Sequence, residues 1–118
     1  MKSYTDINQS RKLAEFLPLE SADMCWTPFD EKWDAYLGAP YPDAIKKEIP
    51  CWSLAALLNV LPDTITSNDG IAFKLNIKKN IIEYSNPPLY LIYKSVKSDN
   101  IVDACFEMIL KLKEKNQI

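Results

Sequence analysis

The sequence predicts a single α+β domain over residues 1–118: a small antiparallel meander of about three strands packed with about three helices as a single layer pair. Three observations carry that prediction. A period-two run at 73–78 is followed by two more strand-like runs separated by turn residues, which gives the meander. Capped amphipathic runs near Asp6 and after Asn100 give two helices. A leucine- and alanine-rich stretch between Pro50 and Pro62 gives the third.

The first helix opens at Asp6, with Gln9 three residues on, an approximate capping box in which each side chain serves the other residue's backbone amide. Ile7, Leu13, Ala14, Phe16 and Leu17 supply its apolar stripe, and Pro18 ends it. Between residues 22 and 37 two readings stay open. The run ESADMCWT at 20–27 could hold a short strand, whereas Phe29, Trp33, Tyr36 and Leu37 fall at helical spacing with Gly38 as a C-cap, so the segment is an extended hairpin or a short helix. Pro40, Pro42 and Pro50 then impose an irregular path, since each removes a backbone donor and biases its predecessor away from helix.

The stretch PCWSLAALL places Cys51 and Trp52 at the start of a predicted helix running from Pro50 to Leu61. Leu54, Leu57, Leu58 and Leu61 form one stripe and Trp52, Ala56 and Val60 another, a pattern that predicts burial on nearly every side. Pro62-Asp63 and Ser67-Asn68-Asp69-Gly70 mark turns. In the first strand Phe73, Leu75 and Ile77 alternate with Lys74, Asn76 and Lys78. Lys79-Asn80 predicts a tight turn into residues 81–85, and Asn86-Pro87-Pro88 separates these from 89–96. Ser98, Asp99 and Asn100 offer N-cap side chains to a last helix with Val102, Cys105, Phe106, Ile109 and Leu112 on one stripe and lysines toward its end.

Composition bounds the function. A chain of 118 residues, 47% hydrophobic, can bury a core without metals or cross-links. Its net charge of −2 offers no general attraction to phosphate backbones, so a nucleic-acid partner is not expected, and the pairs Lys46-Lys47 and Lys78-Lys79 read as solvated faces. No segment reaches the roughly 18 apolar residues of a membrane span, and the first residues lack the apolar core of a secretory signal, so a cytoplasmic protein without a membrane partner is expected. Cys25, Cys51 and Cys105 are odd in number and far apart, which predicts free thiols packed as small hydrophobes.

Missing residue types narrow the chemistry further. The chain has no histidine, so neither a Cys-His pair nor a Ser-His-Asp triad can form within it, and Cys51 reads as structural even at a helix N-terminus that could lower its pKa. Glu20 with Asp23, and Asp30, Glu31 and Asp34, are the carboxylate clusters, and they read as solvated surface; no metal or cofactor is expected. Gly38 and Gly70 are the only glycines, too few for a phosphate-cradling loop. One concentration stands out, because all three tryptophans, with Phe29, Tyr36 and Tyr41, fall between residues 26 and 52. Trp26 and Trp52 adjoin apolar elements and read as core. Trp33, Tyr36 and Tyr41, flanked by charge, are the candidate partner contacts, since aromatics give large contact area at low entropic cost.

Three blocks carry a resemblance: Glu20-Ser21-Ala22-Asp23-Met24 after a Leu-Pro, PCWSLAALLNVLP at 50–62, and Asp99-Asn100-Ile101-Val102-Asp103-Ala104-Cys105 leading into Phe106. Together they resemble a family of small uncharacterised proteins from Bacteroidetes genomes and their prophages or mobile elements, with Ile101 where such relatives commonly have proline. The resemblance implies a bacterial cytoplasmic context and no catalytic residues. The leading expectation is therefore a non-enzymatic protein-interaction protein encoded by a mobile element. The alternatives are a small-molecule or peptide-binding module with Trp33 and Tyr41 lining its pocket, and an enzyme using carboxylate and tyrosine chemistry. A two-fold homodimer is expected to cover leftover apolar surface, unless the aromatic loop does so within one chain.

Overall fold

Two antiparallel sheets and three helices appear where the sequence predicted one meander, in a computed structural model that describes residues 2–29, 32–37 and 48–118. The side chains of Pro28, Phe29, Lys32, Trp33, Tyr36 and Leu37 lie outside that description. The chain divides into two compact units, Met1–Asn59 and Val60–Ile118.

In the first unit, helix α1 (Ile7–Ala14) has the full capping box: Asp6 Oδ1 accepts from the Gln9 amide at 2.8 Å and Gln9 Oε1 from the Asp6 amide at 3.1 Å. It stops at Ala14, before Pro18, although the Leu17 amide still donates to the Leu13 carbonyl at 2.9 Å. Only Ser10 and Leu13 of the helix are buried. Strands β1 (Met24–Phe29), β2 (Lys32–Leu37) and β3 (Ile49–Cys51) form a sheet in the order β2-β1-β3. The hairpin reading of residues 22–37 therefore holds, with Met24 opposite Leu37 and Phe29 opposite Lys32. Aromatic spacing suggested a helix because Phe29, Trp33 and Tyr36 also satisfy an interval of three to four residues, a coincidence that short segments permit.

Helix α2 (Leu54–Val60) begins later than predicted. Cys51 belongs to β3, opposite Met24, and does not open a helix. The reason is competition for the backbone: Trp52 exchanges hydrogen bonds with Thr5 (Thr5 N to Trp52 O, 3.0 Å; Trp52 N to Thr5 Oγ1, 3.1 Å), and the Ser53 amide donates to Asp23 Oδ1 at 2.9 Å. Ser53 then caps the helix, its Oγ accepting from the Ala56 amide at 3.2 Å. The predicted all-round burial is also corrected. Ala56 and Leu57 are buried but Ala55 and Asn59 are exposed, because Trp52 and Leu61, which completed the apolar pattern, flank the helix and are not on it.

The second unit contains β4 (Thr64–Thr66), β5 (Ala72–Lys78), β6 (Ile81–Asn86) and β7 (Leu91–Lys97) in that spatial order, with helix α3 (Ile101–Glu114) packed on β6 and β7. The expected three-strand meander is β5–β7, and it is widened to four strands by β4, which pairs Ile65 with Phe73. The prediction of one meander fails on β4 and on the sheet of the first unit. β3 and β4 have three residues each, too short for alternation to register, and the six-residue strands β1 and β2 carry aromatics at an interval that also fits a helix. Lys79-Asn80 is the two-residue link between β5 and β6.

Asn100 caps α3, its Oδ1 accepting from the Asp103 amide at 2.9 Å. At the other end Gln117 N donates to Leu112 O at 2.8 Å and Asn116 N to Lys113 O at 3.0 Å, with Asn116 at φ 57°, the paired closure of a left-handed helix terminus. Val102, Cys105, Ile109 and Leu112 are fully buried as predicted, together with Ala104 and Met108, while Phe106 is half-buried. Ile82, Tyr84 and Val96 meet this face from the sheet side. Along β5 burial declines from Phe73, which Tyr93 covers, through Leu75 to an exposed Ile77.

Candidate functional site

Of the residues proposed from sequence, Trp33 pairs with Pro28 and Tyr36 with Cys25 in the β1–β2 register. Their side chains, and all of Tyr41, lie outside the described residues. Trp26 and Trp52 are tied in place. Trp26 Nε1 donates to the Thr5 carbonyl at 3.1 Å and its ring meets Tyr4 edge-on at 5.7 Å, while the fully buried Trp52 donates to Ser21 Oγ at 3.0 Å.

The thiols are free and buried. Burial pushes the Cys51 thiol above its ordinary range, outweighing the hydroxyl of Thr5 at 3.7 Å. Burial likewise raises Cys25, whose Sγ donates to Glu48 Oε2 at 2.9 Å, and raises Cys105 to about 12. Tyr84 is raised too, by burial first and then by Asp63, and its hydroxyl donates to the Pro62 carbonyl at 2.6 Å. Each of these groups is held in its neutral form. Asp23 receives the amide and hydroxyl of Ser53, and among the described residues no group of three metal-ligating side chains converges.

A different place gathers what a recognition surface uses. At the link between β6 and β7, Asn86 Oδ1 accepts from the Leu89 amide at 3.2 Å and Asn86 Nδ2 donates to the Ala72 carbonyl at 3.0 Å, fastening a Pro87–Leu89 turn to the end of β5. The turn closes through Tyr90 in left-handed backbone geometry, φ 54° and ψ 36°, which leaves its side chain 94% exposed. That conformation is uncommon for a bulky residue. Leu89, Leu91 and Ile92 are 53%, 42% and 62% exposed, so four consecutive large apolar side chains stand out together.

A register shift positions the last of them. Tyr84 pairs with Lys94 but Ser85 with Ile92, leaving Tyr93 as the extra residue of a bulge. Tyr93 packs on Phe73 with ring centroids 5.2 Å apart and accepts from Gln117 Nε2 at 2.9 Å, whereas Ile92 aligns with Ser85 and Lys74 on the sheet face away from α3. Beside it lies a cleft of about 360 Å³ lined by Ala72, Lys74, Ser85, Asn86, Pro87 and Pro88.

Charge is segregated here as well. Residues 72–97 hold five lysines against one glutamate, Glu83, in a chain of net charge −2. Glu83 is spent locally, 3.2 Å from Lys78 Nζ and 3.4 Å from Ser95 Oγ. Among the described residues Lys74, Lys79 and Lys97 make no ion pair.

Sequence reasoning passed over this surface, yet a signal was present. A strand covered on one face should alternate, and residues 89–92 do not: four apolar residues in succession oblige some of them to face solvent. No protein-family model, curated protein or solved structure matches the chain. Among the described residues no helix is long and apolar enough to cross a membrane.

Proposed function

We propose that the protein is a non-enzymatic interaction protein that engages another protein through the β7 end of its four-stranded sheet. The observation that carries this reading is the run of exposed apolar side chains at residues 89–92 leading into an edge strand. Apolar surface gathered in one place, rimmed by polar groups, is what a recognition site presents, whereas scattered exposed leucines need no explanation. Tyr90 adds the large, stiff side chain on which interface energy concentrates. The aromatic segment holding Trp33, Tyr36 and Tyr41 stays a second contact in this proposal, on sequence grounds alone. Bacterial and mobile-element origin likewise rests on the three sequence blocks.

The cleft at Ala72, Lys74 and Asn86 favours a second reading, a peptide- or small-molecule-binding module, because one cation and two neutral polar side chains there border prolines. The two readings differ in area. A photo-crosslinking amino acid at position 90, compared in the expressing cell with one at the exposed position 107 of α3, tests the first. Discrete adducts from position 90 that vanish in an Ile92→Ser background are the expected result; equal, diffuse labelling from both positions would discard it.

A further inference from the structure

We infer that the outer edge of β7 takes up an extended peptide, acidic in its first half and apolar in its second, as a fifth antiparallel strand. This rests on the reading of the β7 end as the interaction surface and specifies its partner.

The backbone supplies the first argument. Ser98 N donates to Asn80 O at 3.1 Å, which makes residues 80 and 98 a bonded pair of the β6–β7 ladder. Bonded and unbonded pairs alternate in antiparallel sheets, so Val96 and Lys94 turn their amides toward β6. Ser95 and Lys97 therefore direct theirs outward. β7 is the terminal strand, and among the described residues none pairs with its outer side. An edge of this kind is a template for another strand, and main-chain hydrogen bonds then provide affinity while side-chain positions provide selection.

The side chains choose the occupant. Along β7 the character changes from apolar, at Leu91 and Ile92 with Tyr90 just before, to basic, at Lys94 and Lys97. An antiparallel strand runs the other way, so its first residues lie beside the lysines and its last beside Ile92 and Tyr90. Carboxylates followed by apolar residues match that order. A second copy of β7 matches it poorly, because each copy brings the same local excess of four positive charges and like charges across strands repel. Lysines on an edge strand deter self-pairing, and the same lysines admit an acidic strand.

The test uses the full chain and a fluorescent peptide of the sequence Glu-Val-Thr-Glu-Val-Ile-Val-Tyr, whose glutamates fall on opposite faces as Lys97 and Lys94 do through their pairing with Ile81 and Tyr84, read by anisotropy. Its comparisons are a peptide of the same composition in reversed order, one with lysine in place of glutamate, one N-methylated on alternate amides, and an oligothymidylate. The first peptide is expected to bind, with affinity lowered about tenfold by Lys94→Glu with Lys97→Glu. N-methylation on the bonding phase should abolish binding, and Ser95→Pro should do the same, because it removes an outward donor without touching the β6 ladder. The N-methylated peptide keeps the test decisive if Ser95→Pro fails to fold. Binding insensitive to N-methylation would overturn strand addition, and so would a preference for the reversed or lysine peptide. Oligothymidylate binding in place of the peptide would reassign the lysines to a nucleic acid. A dimer by light scattering that Ser95→Pro converts to monomer would assign the edge to a second copy. None of these outcomes disturbs the broader interaction reading, which falls only if crosslinking at position 90 is no different from that at 107.

Discussion

Met1–Asn59 and Val60–Ile118 are about equal in length and are held together by different means. The second unit is organised by periodicity: a 14-residue amphipathic helix on a meander, with apolar side chains at regular intervals meeting across one layer. The first has an eight-residue helix that buries only Ser10 and Leu13, a seven-residue helix that buries only Ala56 and Leu57, and a three-residue strand beside its six-residue hairpin strands. It is fastened by side chains that bond to distant backbone. Thr5 serves Trp52, Ser10 and Cys51, and Asp23 serves Ser53, while Trp26 and Trp52 reach Thr5 and Ser21 through their indoles. Long repeats of burial build a unit that tolerates loss of any one polar bond. Short elements leave that task to a few polar side chains, and each becomes hard to replace.

The largest expected effect is at the junction of both kinds of bonding in the first unit. Trp52→Ala removes a fully buried indole and the bond it donates to Ser21, and urea melts should show a loss of about 3–5 kcal/mol. Its counterpart in the second unit, Ile109→Ala, should cost about 2–5 kcal/mol by the same measurement. The polar pair discriminates better. Thr5→Val keeps shape but strands the Trp52 amide in a buried site, a loss of about 1–3 kcal/mol. Tyr84→Phe removes one hydroxyl bond to the Pro62 carbonyl and should cost about 0.5–1.5 kcal/mol. Equal losses from these two substitutions would break the distinction between the units.

The smallest effect is in pH. Cys105 has its pKa raised by burial from 9.0 to about 12, so the folded state holds its proton where the unfolded state releases it. Its contribution is complete below pH 9 and is lost as pH rises through about 12. Cys105→Ala should flatten stability across that alkaline window while lowering it uniformly through the cavity left behind, a contrast that chemical melts at several pH values resolve.

The same contrast explains what could be read in advance. α3 was legible from its caps and its stripe at 102, 105, 109 and 112, and the meander from the alternation of Phe73 with Lys74 and their neighbours. The capping box at Asp6 and Gln9 was legible because it is local. The start of α2 was not, since it was decided by Thr5 and Asp23, residues 30 or more positions away whose choice of backbone partner no window of sequence contains. The candidate surface was half legible. Trp33, Tyr36 and Tyr41 drew notice by composition, whereas residues 89–92 lie in an ordinary-looking strand, and their exposure depends on the bulge at Tyr93 and on α3 ending where Gln117 meets it.

The seating of Trp26 and Trp52 has an optical consequence. All three indoles belong to Met1–Asn59, and the second unit, with Tyr84, Tyr90 and Tyr93, has none. Emission excited at the red edge of protein absorption therefore reports the first unit alone, whereas helical ellipticity sums α1 and α2 of the first unit with α3 of the second. A single preparation without any label thus carries one signal from the first unit and one from both. Coincident transitions on the two signals would mark one cooperative unit, and separated ones two.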